Sequence, residues 1–328
     1  MMRAAHLAAA LAVGIVMSAT QYAAASPDIW KAEGWDKTDF KTKSIDYSEI
    51  LSGGPPKDGI PSIDKPKFVP VGDVSDLGAK EPVVGFAVNG EARAYPLRIL
   101  IWHEIVNDKI GDVPVSVTYC PLCNSAVVFD RRFDGKVLDF GTTGKLRNSD
   151  LVMYDRTTES WWQQFLGEAI VGELTGARLE MIPARLESFA NFKARQPEGK
   201  VQMPARGGMR SYGRNPYGGY DSSPSPFLYS GPMPDNIAPL ARVVRVDDEA
   251  WSLDLLRVSG EILRDDLRLT WEAGQNSALD AGTIAEGIDV GNVLVERKAA
   301  SGWEDAVYSV DFAFAFRAFY PEGTIHTE

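Results

Sequence analysis

Tyr119-Cys120-Pro121-Leu122-Cys123-Asn124 holds the only two cysteines of the chain. It follows an alternating apolar run, Val113-Pro-Val-Ser-Val-Thr-Tyr119, and precedes another, Ala126-Val-Val-Phe129. Period-two patterning and β-branched content make both runs strands, so the cysteines fall on a strand-to-strand turn. This placement decides the chemistry. A Cys-x-x-Cys that opens a helix has its thiolate stabilised by the helix N-terminus and becomes a redox site. On a β-turn the same spacing is half of a metal knuckle, with backbone N–H groups aimed at the sulfurs. The residue after the second cysteine then takes a left-handed conformation, which Asn124 tolerates well. A zinc ribbon needs two such pairs, and this chain has one.

Upstream, Val83–Val88 and Glu91–Tyr95 read as strands joined by the two-residue turn Asn89-Gly90. Pro96 opens a helix over Leu97–Val106, apolar nearly all round and therefore buried. It carries His103 and Glu104. Downstream, strands continue through Phe129–Gly135 and Lys136–Phe140, with Asp134-Gly135 as a further hairpin turn. Gly141–Ser149 reads as a connecting loop; its Gly-Lys is followed by Leu146, which excludes the phosphate-loop pattern. Leu151–Arg156 is a strand, and Trp161-Trp162 fills a core.

Residues 1–25 have the form of a signal peptide: Arg3, an apolar Leu7–Met17 and a small-residue Ala23-Ala24-Ala25 cleavage site. The expected product is exported, periplasmic or extracellular, with no transmembrane segment. Losing Arg3 takes the formal net charge from −11 to −12, which argues against nucleic-acid partners and leaves cations as suitable ligands. Two cysteines exclude a disulfide framework. Residues 26–80 read as an irregular N-terminal arm, 81–203 as a first lobe carrying the Cys-x-x-Cys, 204–235 as a Gly/Pro/Tyr-rich loop, and 236–328 as a second lobe. The second lobe echoes the first. Phe86-Ala-Val-Asn-Gly-Glu-Ala92 lies opposite Val244-Arg-Val-Asp-Asp-Glu-Ala250, and Phe192-Lys-Ala-Arg-Gln-Pro-Glu-Gly199 opposite Phe316-Arg-Ala-Phe-Tyr-Pro-Glu-Gly323. The expected fold is α+β and β-rich, with short helices and two lobes from a degenerate internal duplication.

The runs Ala94-Tyr-Pro-Leu, Ile101-Trp-His-Glu-Ile-Val-Asn-Asp108, Val117-Thr-Tyr-Cys-Pro-Leu-Cys-Asn-Ser-Ala126 and Leu151-Val-Met-Tyr-Asp-Arg-Thr-Thr-Glu-Ser-Trp161 resemble the bacterial domain-of-unknown-function family 3179. The resemblance covers about residues 80 to 325 and departs mildly at Asn124, where the family has a small residue. It implies boundaries but no activity.

The chemistry must therefore come from the residues. His103 is the one histidine inside a folded element; His326 lies near the C-terminus. Its helix immediately precedes the cysteine strand, so Cys120, Cys123 and His103 form the expected ligand set. Three ligands leave a fourth position for water or another group, and thiolates with imidazole select zinc or copper. Glu104, about 100° around the helix, is the weaker candidate for that site, and Asp155 is a partner to orient His103. Tyr212, Arg214 and Tyr217 are expected to cover a cleft, with cleft lining as the alternative to the core reading for Trp161, and an unidentified small molecule is a possible partner. A redox pair and a purely structural pair in a binding protein are the competing readings. No Ser-His-Asp order or paired-carboxylate signature points to an enzyme class.

Overall fold

The computed structural model describes residues 26–204 and 210–328; the expected signal peptide lies outside them. They form five small sheets of three to five strands, plus a two-stranded ribbon, arranged as a propeller-like ring. Among the described residues there are five short α-helices, none long and apolar enough to cross a membrane. The described residues are thus β-rich, and four of the five helices directly follow a strand.

The three-stranded sheet that carries the cysteines runs Ile105–Ile110, Val113–Cys120, Ser125–Asp130, all antiparallel. Its first strand corrects the expected helix, which ends at His103. Ile105 and Val106 are β-branched, pair with Thr118 and Val117, and lie in the core. Tertiary pairing outweighs the helical apolar pattern. The expected loop 141–149 is also largely strand, Phe140–Arg147, whose pairing with Asp150–Asp155 shifts register between Thr142 and Lys145. Gly144 there has φ +70, and a Cβ at that point would lie 1.9 Å from the carbonyl oxygen of Pro55. The glycines that read as loop signals serve a bulge and a close backbone approach.

The N-terminal arm is short in regular structure yet well anchored. Ile50–Ser52 pairs with Phe140–Arg147, and Lys67–Pro70 with Lys200–Met203. Trp161 faces the arm, meeting Trp30, Trp35 and Phe40 edge-on with ring centroids 4.8–5.5 Å apart. Trp162, one residue on and hence on the other face, meets Phe133 and Phe140. Each such pair adds about 0.5–1.5 kcal/mol beyond its buried area.

Two of the sheets share one strand order. The first is Arg185–Ser188, Pro82–Val88, Glu91–Pro96, then Lys200–Met203 parallel to its neighbour. The second is Ser309–Phe312, Arg242–Val246, Glu249–Ser252, then Thr324–His326, again parallel. A seven-residue helix follows the second strand of each hairpin, Leu97–His103 and Leu253–Ser259. Another follows each outer strand, Phe189–Arg195 and Ala313–Phe319. Even the packing repeats: a Cβ on Gly199 would strike the Phe192 ring at 2.9 Å, and one on Gly323 the Phe316 ring at 2.7 Å.

Candidate metal centre

The cysteine turn is built as the sequence implies. Asn124 has φ +53, and its amide donates to the carbonyl of Pro121. Its side chain donates to the carbonyl of Val310 at 2.8 Å, and the Phe312 amide donates to the Cys123 carbonyl at 2.9 Å. The turn is thereby fixed to the outer strand of the second shared-order sheet. Both cysteines are buried and unbridged.

The group that meets them is Asp150. One ligand atom each from Cys120, Cys123 and Asp150 lie within 4.8 Å of one another, all three residues buried. Asp150 reaches this position through a tight turn at Asn148 and Ser149, with φ +53 and +62. It opens the strand Asp150–Asp155. Its Oδ2 accepts from Gln163 Nε2 at 2.6 Å and from the Phe165 amide at 3.0 Å. Its buried Oδ1 has no hydrogen-bond partner among the described residues. A buried carboxylate oxygen left open beside two reduced sulfurs is a donor set that could hold a cation.

Electrostatics agree. Burial pushes the Asp150 carboxyl up to about 7; hydrogen bonds from Gln163 and Phe165 and the proximity of the Cys120 thiol oppose the shift, and Asp311 adds to it. Burial raises the Cys120 thiol, with Asp150 and Glu104 adding to the shift. Cys123 is held well above the ordinary thiol range, again by burial first. These are not the acidic thiols of an oxidoreductase. A thiophilic cation held here would have to displace protons from these groups.

Glu104 sits outside the expected helix, as its C-terminal cap, with φ +59 and ψ −33. That conformation costs a non-glycine residue on the order of 1–3 kcal/mol. Its carbonyl accepts from the Tyr119 amide at 2.8 Å, one residue from Cys120. The side chain is buried, and its carboxyl is pushed up to about 8 by desolvation and by Asp150.

His103, expected as the third ligand, is not in the Cys120–Cys123–Asp150 group. Its Nδ1 lies 2.7 Å from the Pro61 carbonyl oxygen and its Nε2 2.8 Å from the Tyr212 hydroxyl. Burial lowers its pKa, and Arg210 assists. Asp155, expected to orient His103, closes its own turn: it accepts from the Thr158 amide at 2.7 Å, the Thr158 hydroxyl at 2.8 Å and Trp162 Nε1 at 3.1 Å. Trp161 belongs to the core beneath the N-terminal arm, and Arg214 donates to Thr283 near the surface.

Tyr217 and its neighbours do reach the cysteine turn. The Tyr220 hydroxyl donates to the Leu122 carbonyl at 3.2 Å, and Ser149 donates to the Phe227 carbonyl at 2.5 Å. Between loop and turn is a pocket of about 450 Å³ lined by Leu122, Tyr217, Tyr220, Ser223, Pro226 and Phe227 among others, with no charged side chain in its described wall. Tyr217 lines this pocket, and burial raises its phenol, with Glu104 and then Cys120 adding to the shift.

Asp150 escaped the sequence reading because 30 residues of chain separate it from Cys120. The available signal was Asn148-Ser149, a polar pair fit for a two-residue turn, which would have started the next strand at Asp150.

Neither the curated proteins nor the solved structures yield a match to this chain. The family pattern described as protein of unknown function (DUF3179) matches residues 57–323, the span that contains every residue of the Cys120–Cys123–Asp150 cluster. The chain belongs to that family.

Proposed function

We propose that this chain is an exported transition-metal protein whose ion is held by Cys120, Cys123 and Asp150, with a fourth position open toward the 217–228 loop. The observation that carries this reading is the unpartnered, fully buried Asp150 Oδ1 beside two reduced sulfurs. Two thiolates and a carboxylate suit zinc first and copper second, and disfavour magnesium and calcium. Asp150 takes the place first expected for His103, whose two nitrogens tie the helix end to Pro61 and to Tyr212. The uncharged pocket over Leu122 supports a small molecule as the further partner. The Arg3, Leu7–Met17 and Ala23–Ala25 pattern supports export to the periplasm or outside the cell. The shared strand order, the matched helices and the paired Phe192/Gly199 and Phe316/Gly323 contacts support descent of residues 81–203 and 236–328 from one duplicated unit. The second copy lost the cysteines.

The test is elemental analysis of protein purified without added metal. Wild type should carry close to one zinc or copper per chain. Cys120→Ser and Asp150→Asn should each lose most of it while keeping the wild-type circular dichroism spectrum. Metal absent from wild type, or retained fully in Asp150→Asn, refutes the ligand set.

A further inference from the structure

Resting on the small-molecule reading above, we propose that the pocket over Leu122 binds an uncharged aromatic compound, about two fused rings in size and carrying a hydroxyl or carbonyl group. Three features of the pocket converge on that class.

The first is that the pocket is held at a fixed width. The Tyr220 hydroxyl donates to the Leu122 carbonyl at 3.2 Å and accepts from the Phe227 amide at 3.1 Å. Ser149 donates to the Phe227 carbonyl at 2.5 Å. Leu122 stands between the two cysteines and Ser149 precedes Asp150, so the pocket is fastened to both segments that supply the Cys120–Cys123–Asp150 cluster. A cleft shaped before any ligand arrives costs little to fill.

The second is the wall. Its lining includes Leu122, Tyr217, Tyr220, Pro226, Phe227 and Leu228, with two serines and no charged side chain. A charge brought here sheds water and meets no counterion in that wall, which selects against phosphates, carboxylates and amines. Two of the rings are idle. Tyr220 packs edge-on against Phe312 at 5.8 Å, but neither Tyr217 nor Phe227 meets another aromatic ring among the described residues. Phe227 is 51% exposed, which leaves its ring available to stack on a ligand. Tyr217 is half-buried, and its hydroxyl has no hydrogen-bond partner among the described residues. It can donate to or accept from a ligand's own hydroxyl, or donate to a carbonyl. An apolar cavity of about 150 Å³ takes one benzene ring; this pocket of about 450 Å³, open to solvent, suits two.

The third is strain. Leu228 has φ +48, in the left-handed region that a bulky side chain occupies only at a cost. Strain of this kind collects at ligand clamps. Here it falls next to Phe227, whose ring stands out at the pocket while its neighbours Pro226 and Leu228 turn inward.

The experiment uses the full-length mature protein, metal-free and zinc-loaded, with four probes on one ring frame at pH 7. 2-Naphthol is neutral and aromatic. 2-Naphthoate carries a negative charge and 2-naphthylmethylammonium a positive one, and decahydro-2-naphthol is neutral and saturated. Fluorescence anisotropy gives the Kd of 2-naphthol, and displacement gives the others. We expect 2-naphthol to bind at a single site, at least about tenfold tighter than either charged probe and about 2–10-fold tighter than the saturated one. Phe227→Ala should weaken it about tenfold and Tyr217→Phe about 2–10-fold, both variants keeping the wild-type circular dichroism spectrum. Binding unchanged in Phe227→Ala puts the probe elsewhere and overturns the proposal, as does wild type that binds no 2-naphthol. Charged probes that bind as tightly overturn the uncharged class, and a saturated probe that does so overturns the aromatic one. Elemental analysis reads zinc on the same samples. 2-Naphthol bound by protein that takes up no zinc keeps the pocket and removes the metal centre; zinc held without 2-naphthol binding does the reverse.

Discussion

Zinc added to the metal-free protein at pH 8 should raise its Tm by about 6 °C when free zinc exceeds Kd a thousandfold. Saturation at that level stabilises by about 4 kcal/mol, and a chain of this size gains roughly 1.5 °C per kcal/mol. The pH dependence follows from the carboxyls. Burial raises Glu104 from 4.5 to about 8 and Asp150 from 3.8 to about 7. Both folded values lie above the unfolded ones, so the metal-free fold binds these protons more tightly than the unfolded chain. Their contribution therefore weakens the fold progressively as pH rises from about 4 to about 8. Zinc replaces the protons, so its increment in Tm should grow across the same window and be small at pH 5. Calorimetry of chelator-stripped protein at pH 5, 6.5 and 8 checks this. An increment that shrinks with rising pH, or that survives Cys120→Ser, contradicts it.

The second large effect concerns the buried pair beside the cysteine turn. Arg245 Nε donates to Asp311 Oδ2 at 2.9 Å, and Ser309 donates to the same oxygen at 2.5 Å. The guanidinium also lies 4.7 Å from the Phe165 ring centroid, and both charged residues are buried. Arg245→Met should cost about 3–5 kcal/mol, because it strands a buried carboxylate. Burial already raises the Asp311 pKa, against the pull of Arg245, so protonation at low pH should recover part of the loss. Changing both partners, Arg245→Met with Asp311→Leu, should recover at least half of it, since a buried pair contributes little net of its desolvation. Urea unfolding of the three variants at pH 5 and pH 8 measures all of these. A single variant within 1 kcal/mol of wild type would refute the pairing as drawn.

The chemistry of the turn was legible because it is local. Strand alternation on both sides of Cys120–Cys123, and the tolerance of Asn124 for positive φ, follow from adjacent residues, and the turn at φ +53 agrees. The same held for Asn89-Gly90, where φ is +51 and +84. The helix boundary failed for an equally physical reason. Leu97 to Val106 presents apolar side chains at both periods, and only the pairing of Ile105 and Val106 with Thr118 and Val117 decides between them. That one boundary moved Glu104 from the flank of a helix to its strained cap. Asp150 was hidden because its meeting with the sulfurs depends on how separate sheets pack, a relation between distant segments that spacing along the chain does not encode. His103 is apt for metal by residue type, but two other polar groups 42 and 109 residues away engage its nitrogens.

X-ray absorption at the zinc edge tests the ligand set most directly. The account predicts two sulfur neighbours at about 2.3 Å and one or two oxygens at about 2.0–2.2 Å, with no imidazole outer-shell scattering. The small residue of zinc still bound to Asp150→Asn should show a weakened oxygen shell. An imidazole signature that disappears in His103→Ala, or a single sulfur neighbour, would contradict the Cys120, Cys123 and Asp150 centre.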